Sequence, residues 1–523
     1  MYIKIFILSI VLSLNACGNT SHQSDAAKQI QLSGAMPSPM MAFQQEPAPI
    51  PEVNRENYAN FKDNPIKNVT EQAVSTFSID VDTGSYSNVR RMLNSGNLPP
   101  HDAVRVEEMI NYFTYNYPQP NTTNPPFKVS TEIAATPWNS KTHLLHIGIK
   151  GYDIPKTNLP AANLVFLVDV SGSMNSPDKL GLLKSSLKLL TKQLTARDKI
   201  SLVVYASASG LVLEPTAANQ TAKISAALEK LTAGGSTNGG AGIQLAYATA
   251  EQAFIKGGIN RILLATDGDF NVGTVNFEAL KNLVEEKRKS GISLTTLGFG
   301  TGNYNDNLME QLADAGNGNY SYIDTLNEAQ KVLVDEMSST LQTIAKDVKI
   351  QIEFNPTVVA EYRLIGYENR VLKREDFKND KVDAGEIGAG HSVTALYEIA
   401  LVGSGGERLE KLRYSDKKAT NSMKTNELAF LRLRYKAPTA NTSILVEKAL
   451  MKTDIKTTNT SDNFRFAAAV AAFGQQLRGG KYLQQFSYQD ILNLARQARG
   501  KDKFSYRAEF IKLINLTKSL SSK

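Results

Sequence analysis

One cysteine, Cys17, stands in a chain of 523 residues. It cannot form a disulfide within the chain, and no metal site can be built on several thiolates. Histidine is equally uninformative: His101, His143, His146 and His391 share no ligand spacing, and His22 lies in a polar N-terminal stretch. His143 and His146 are three apart on an expected strand, so they fall on opposite faces. The glycines at 234, 235, 239, 240 and 242 are followed by no G-K-[ST], so no lysine would reach a phosphate there. Asp82-Thr83-Gly84-Ser85 matches the tetrapeptide of aspartic proteases, but those enzymes need two aspartates sharing a proton, and no second D-T-G or D-S-G occurs. Asp80 and Asp82 are better taken as acids at a strand end. No Ser/His/Asp or Cys/His set is evident, and no catalytic role is expected. Lysine and arginine exceed the acids enough to give a formal net charge of +7. They are spread along the chain without a basic arm, which argues against nucleic acid as a partner.

What is present begins at the N-terminus. Lys4 precedes an almost wholly apolar run over 5–14, and Ala16 precedes Cys17. About ten apolar residues are too few to span a bilayer as a helix, so the run is expected to be the core of a signal peptide covering 1–16. Leu14-Asn15-Ala16-Cys17 resembles a bacterial lipobox, although Asn15 departs from the usual small or β-branched residue. The resemblance implies that Cys17 is acylated and anchors the chain in a membrane. Gly18 and Asn19 follow it with no adjacent aspartate, which by the habit of such proteins points to the outer membrane. Residues 17–70, with Pro37, Pro39, Pro47, Pro49, Pro51 and Pro65 among polar residues, are expected to be an extended tether.

The rest is too long for one core, so several domains are expected. In 71–150, Phe77, Ile79 and Val81 alternate with polar residues as in a half-buried strand. A short amphipathic helix follows over 104–113, and strands over 126–150. In 151–345 the apolar runs 164–168, 200–205, 262–265 and 292–299 alternate with helical stretches at 178–194, 240–254, 277–289 and 327–344. Near-continuous apolar strands separated by amphipathic helices indicate a sheet buried on both faces. The expected fold class is therefore α/β, a doubly wound and mostly parallel sheet. It is flanked by an N-terminal α+β extension and, over 346–523, by a β-rich and helical domain. There, period-two segments at 348–354, 393–401 and 428–435 precede helices from 463, 488 and 506.

The first apolar run of the α/β domain ends in Asp169-Val170-Ser171-Gly172-Ser173. In open α/β sheets ligands bind beyond the carboxyl ends of the strands. This turn presents one carboxylate and two hydroxyls there. Thr237, in a glycine-rich loop before a helix, and Asp267, after the run 262–265, stand at the same rim; Asp269 is a further acid nearby. Oxygen donors of this kind suit Mg²⁺, Ca²⁺ or Mn²⁺. The ordered pattern D-x-S-x-S, then Thr, then Asp in a T-D-G turn resembles a von Willebrand factor type A domain with a metal-ion-dependent adhesion site. The resemblance implies that Asp169, Ser171, Ser173, Thr237 and Asp267 hold the metal. It also implies hydroxyls ligating directly, carboxylates often acting through water, and one position left for an acidic residue of a protein partner. The segments 75–86, 298–306 and 316–320 are similar to a group of bacterial lipoproteins carrying such domains.

Overall fold

The computed structural model describes residues 55–79, 82–268, 277–410 and 426–522. The signal sequence, Cys17, the tether as far as residue 54, Asp80, Val81 and Asp269 lie outside these.

The α/β domain is a six-stranded sheet. Its strands run in the order Tyr320–Ile323, Ser293–Phe299, Ile259–Thr266, Ala162–Asp169, Lys199–Tyr205 and Ser209–Ala217. All neighbours are parallel except the last pair. Strand Ala162–Asp169 shows why its sequence is an unbroken apolar run. Leu164, Phe166 and Val168 belong to one core with Leu183 and Leu187, whereas Val165 and Leu167 belong to another with Ile243 and Ala246. Alternate side chains point to opposite faces, and both faces are covered by helices. The chain leaves this strand first for one neighbour and later for the other, which makes its carboxyl end the switch point where such sheets open a crevice.

Several elements were not expected. The antiparallel edge strand Ser209–Ala217 has a mostly exposed or half-buried pattern and carries little apolar signal. Helices Thr221–Glu229, Asp306–Ala315 and Gly84–Asn94 were also missed. The helix expected over 327–344 is broken into Leu326–Gln330, the wider turn Lys331–Asp335 and Met337–Leu341. From Thr343 the chain is already strand, because Ile344, Ala345, Val348, Ile350 and Ile352 are drawn into the core of the neighbouring sheets.

The regions before and after the α/β domain share two sheets. Strand Val74–Ser78 pairs with Thr343–Phe354, setting Phe77 opposite Ile350, and Asn139–Gly151 pairs with Ser392–Leu401, setting Ile149 opposite Val393. Helices Gly84–Asn94 and Val106–Asn111 pack with Asp462–Leu477, Tyr488–Gln497 and Tyr506–Ser521 around Phe113, Phe466, Phe473 and Phe510. The expected tether is overturned for its last part. Arg55 and Asn57 donate backbone hydrogen bonds to Gly302 and Tyr304 at 2.7 and 2.9 Å, and Val69 is buried after the short strand Lys67–Asn68. Backbone pairing together with the ion pairs Glu56–Arg91 and Asp63–Arg478 holds this stretch, which explains why no apolar period announced it. Among the described residues no helix is long and apolar enough to cross a membrane.

Candidate metal centre

Asp169 closes the central strand and is fully buried. Its Oδ1 accepts from the Ser171 backbone N–H at 2.8 Å, and Oδ2 accepts from the hydroxyls of Thr266 at 2.8 Å and Tyr205 at 3.1 Å. Burial raises its pKa and the nearby Asp267 carboxylate adds to that, while the donors from Ser171 and Thr266 work against it. The first donor bends the chain into the turn Gly172–Met174, on which the Ser171 and Ser173 hydroxyl oxygens stand 3.0 Å apart. The turn is tied to the glycine-rich loop by Gly172 N–H donating to Gly235 O at 2.9 Å and by Gly234 N–H donating to Val170 O at 2.8 Å. Gly235 has φ +84°, and a Cβ there would lie 2.5 Å from the Ser207 hydroxyl, so glycine is required. Thr237 follows in the same loop, half-buried, just before helix Gly239–Gln252.

Asp267 is the next residue after strand Ile259–Thr266 and is fully buried. Thr266 therefore links the two acids, since its hydroxyl binds Asp169 while Asp267 follows it in the chain. Gly268 then turns with φ +83°, and a Cβ there would stand 2.4 Å from the backbone nitrogen of Asn305. Asp267 Oδ2 accepts from the Lys179 ammonium at 3.0 Å and from Asn303 Nδ2 at 3.3 Å. Lys179 also reaches Asn303 Oδ1 at 3.2 Å, and its stem runs under Gly300, where any Cβ would clash with it. The turn with Asp169, Ser171 and Ser173, the loop with Thr237 and the turn with Asp267 thus meet at the carboxyl end of the sheet. Tyr205, Thr266, Lys179 and Asn303 were not foreseen. Tyr205 and Thr266 end apolar strands and read as strand residues, and Lys179 reads as the exposed face of a helix.

The donor set fits a hard divalent ion. All five expected residues offer oxygen, two hydroxyls are already convergent, and Asp267 engages a cationic group. The groups His143 and His146 do not converge with it. His146 is buried and shares a hydrogen bond with the Tyr117 hydroxyl at 2.9 Å, and burial lowers its pKa to about 4.

Three sequence-family models match the chain. The von Willebrand factor type A domain covers residues 163–336 and includes all five site residues. A von Willebrand factor model covers 52–146, and the C-terminal region of the uncharacterized protein YfbK covers 339–520. The chain is 53% identical over 466 residues to the uncharacterized protein YfbK of Escherichia coli (strain K12), spanning 88% of this chain and 80% of that protein. It is 31% identical over 168 residues to the uncharacterized protein sll0103 of Synechocystis, spanning 32% of this chain and 39% of that protein. Among solved structures it is similar to a von Willebrand factor type A protein from Catenulispora acidiphila. That match has TM-score 0.41 and 16% identity, over 74% of this chain and 89% of the other.

Proposed function

The chain belongs to the family of the uncharacterized protein YfbK, built around a von Willebrand factor type A domain, and from that premise we propose that it is a lipid-anchored protein of the bacterial cell envelope that holds a divalent cation and grips a protein partner through it. Asp169, Ser171, Ser173, Thr237 and Asp267 hold the ion, which is Mg²⁺, Ca²⁺ or Mn²⁺. The observation that carries this reading is the turn after the central strand, where two serine hydroxyls stand 3.0 Å apart beside a buried carboxylate. When bound, the ion supplies a positive centre only partly neutralised by its few charged neighbours, and an acidic side chain of the partner is attracted to it. Metal and partner then reinforce each other by equal factors. The test is calorimetry of metal binding together with capture of partner from envelope extract, with and without chelator. A folded Ser171→Ala/Thr237→Ala variant with unchanged metal affinity and unchanged capture would sink the reading.

One observation favours a second reading. Lys179 already pairs with Asp267, and a rim satisfied by an internal ammonium suits a structural scaffold, or a recruiting subunit of an envelope complex, that needs no ion. Metal titration of the native protein separates the two.

The anchor rests on Cys17 and the apolar run before it. Cys17→Ser is expected to leave an unprocessed precursor without lipid label. Density fractionation is expected to place the native protein in the outer membrane, and recovery wholly in the inner membrane would correct that assignment.

A further inference from the structure

Helix Asp306–Ala315 of the α/β domain meets the N-terminal extension at a buried charged junction. Arg105, fully buried, is bound by Asp306 and Glu108. Glu108 Oε2 also accepts the Ser85 backbone N–H at 2.8 Å. Arg370, from the region after the α/β domain, donates to Glu310 at 2.8 Å and to Asp314, and Asn369 donates to Glu310 at 2.8 Å. Asp82 Oδ1 accepts the Tyr320 backbone N–H at 2.7 Å. Its Oδ2 is buried with no hydrogen bond, and the nearest guanidinium nitrogen of Arg370 is 3.7 Å away. Asp82, Glu108 and Glu310 each bring a carboxylate oxygen within 4.8 Å of the other two.

The charges do not balance. Asp82, Glu108, Asp306 and Glu310 are all buried and face two guanidinium groups, so two negative charges are left without a partner. Asp314 draws further on Arg370, and the buried Glu107 lies beside Glu108 with its own Oε2 unpaired. Uncompensated buried carboxylates are costly and must take up protons or a cation. A single divalent ion supplies the missing charge. Oxygens within 4.8 Å of one another can converge on one divalent ion, for instance at Ca²⁺–oxygen distances of about 2.3–2.6 Å.

We propose a second divalent-cation site formed by Asp82, Glu108 and Glu310 where the N-terminal extension meets the α/β domain. Asp82 and Glu108 come from the extension and Glu310 from the domain, so the ion staples the two together. It uses none of the residues of the first centre. The junction nevertheless lies at the other end of a short connection from it. Asn303 touches Asp267, and the next residue, Tyr304, donates to the Tyr320 hydroxyl at 2.6 Å, which in turn donates to Asp306.

The experiment is equilibrium dialysis of the purified full chain against Ca²⁺, with bound ion counted, on wild type, Ser171→Ala/Thr237→Ala, Asp82→Asn and Glu310→Gln. Wild type is expected to retain two equivalents. The serine–threonine variant should lose one and keep the buried one; Asp82→Asn and Glu310→Gln should each lose the buried one and keep the other. A buried ion that persists when the first centre binds nothing supports this site and counts against the adhesion reading instead. An ion count unchanged by Asp82→Asn and Glu310→Gln overturns the site and leaves shared protons as the counter-charge. Thermal unfolding in chelator gives an independent readout. Asp82→Asn removes an uncompensated charge at constant shape, so its midpoint should equal or exceed that of wild type in chelator, and it should rise less than the wild-type midpoint when Ca²⁺ is added, because only the first centre is left to bind. A lower midpoint in chelator would show that the protein already balances the charge, and would also overturn the proposal.

Discussion

Lys179 sets its ammonium 3.0 Å from Oδ2 of the fully buried Asp267, at the carboxyl end of the sheet. The ammonium therefore occupies one oxygen of a carboxylate that the proposed ion also needs. Lysine and ion then compete for the same negative charge, and the apparent metal affinity is what remains after the lysine has been displaced. Lys179→Met should raise metal affinity. In chelator the same variant should be less stable than wild type by about 1–3 kcal/mol, because Asp267 loses a charged donor while buried. Calorimetry and urea unfolding measure the two effects. Weaker metal binding in a folded Lys179→Met protein would show that the lysine helps to hold the ion.

Asp169 is bound more deeply than a rim residue needs to be. It receives the Ser171 amide and two hydroxyls. Asp169→Ala removes the buried carboxylate to which both the Tyr205 and Thr266 hydroxyls donate and should cost about 1–3 kcal/mol in addition to its effect on metal. Asp169→Asn keeps one acceptor oxygen and should fold better while still weakening metal binding. If both variants unfold at the wild-type midpoint, the three hydrogen bonds contribute nothing measurable.

The α/β sheet was legible because its central strands are buried on both faces and so appear as unbroken apolar runs; Leu164 to Val168 supply residues to two cores. The position of Asp169 and Asp267 at the carboxyl rim was legible because an acid directly after an apolar run marks a strand end. What escaped depends on distant partners. Lys179 meets Asp267 across 88 positions and Asp82 meets Tyr320 across 238, and neither pair has a local spacing. Edge strand Ser209–Ala217 was invisible because one side has no neighbouring strand and little of it is buried. Residues 55–70 are held partly by main-chain hydrogen bonds, which leave no mark on side-chain composition.

Gly268 should be the least replaceable glycine near the site. Its φ is +83° and an added Cβ would stand 2.4 Å from the Asn305 backbone, which cannot swing aside like a side chain. Gly268→Ala should destabilise by about 2 kcal/mol or more and displace Asn303 from Asp267. Gly210→Ala, where an added Cβ meets nothing within 4 Å, should change stability by less than about 0.5 kcal/mol. Equal effects from the two would refute the close approach of the 302–305 loop to Gly268.

His146 makes part of the stability depend on pH. It is 3% exposed, packed near Tyr115, Tyr117 and Phe464, with its Nε2 at 2.9 Å from the Tyr117 hydroxyl. Burial lowers its pKa from 6.5 to about 4, although the Glu132 carboxylate pulls the other way. The unfolded chain therefore binds a proton between about pH 6.5 and 4 that the folded chain does not. Unfolding is favoured as the pH falls through that window, so this contribution is fully present above about pH 7 and is lost towards pH 4. At about pH 5 the loss should approach 2 kcal/mol relative to neutral pH, and it should level off at about 3 kcal/mol below pH 4. Other buried groups titrate in the same range, so the measurement is a difference. Urea unfolding of wild type and His146→Gln at about pH 8 and pH 5 should show a larger drop in wild type, whatever the absolute stability of the variant. Parallel pH dependence of the two proteins would mean that His146 titrates alike in the folded and unfolded states, and that its burial next to Tyr117 imposes no penalty on the imidazolium.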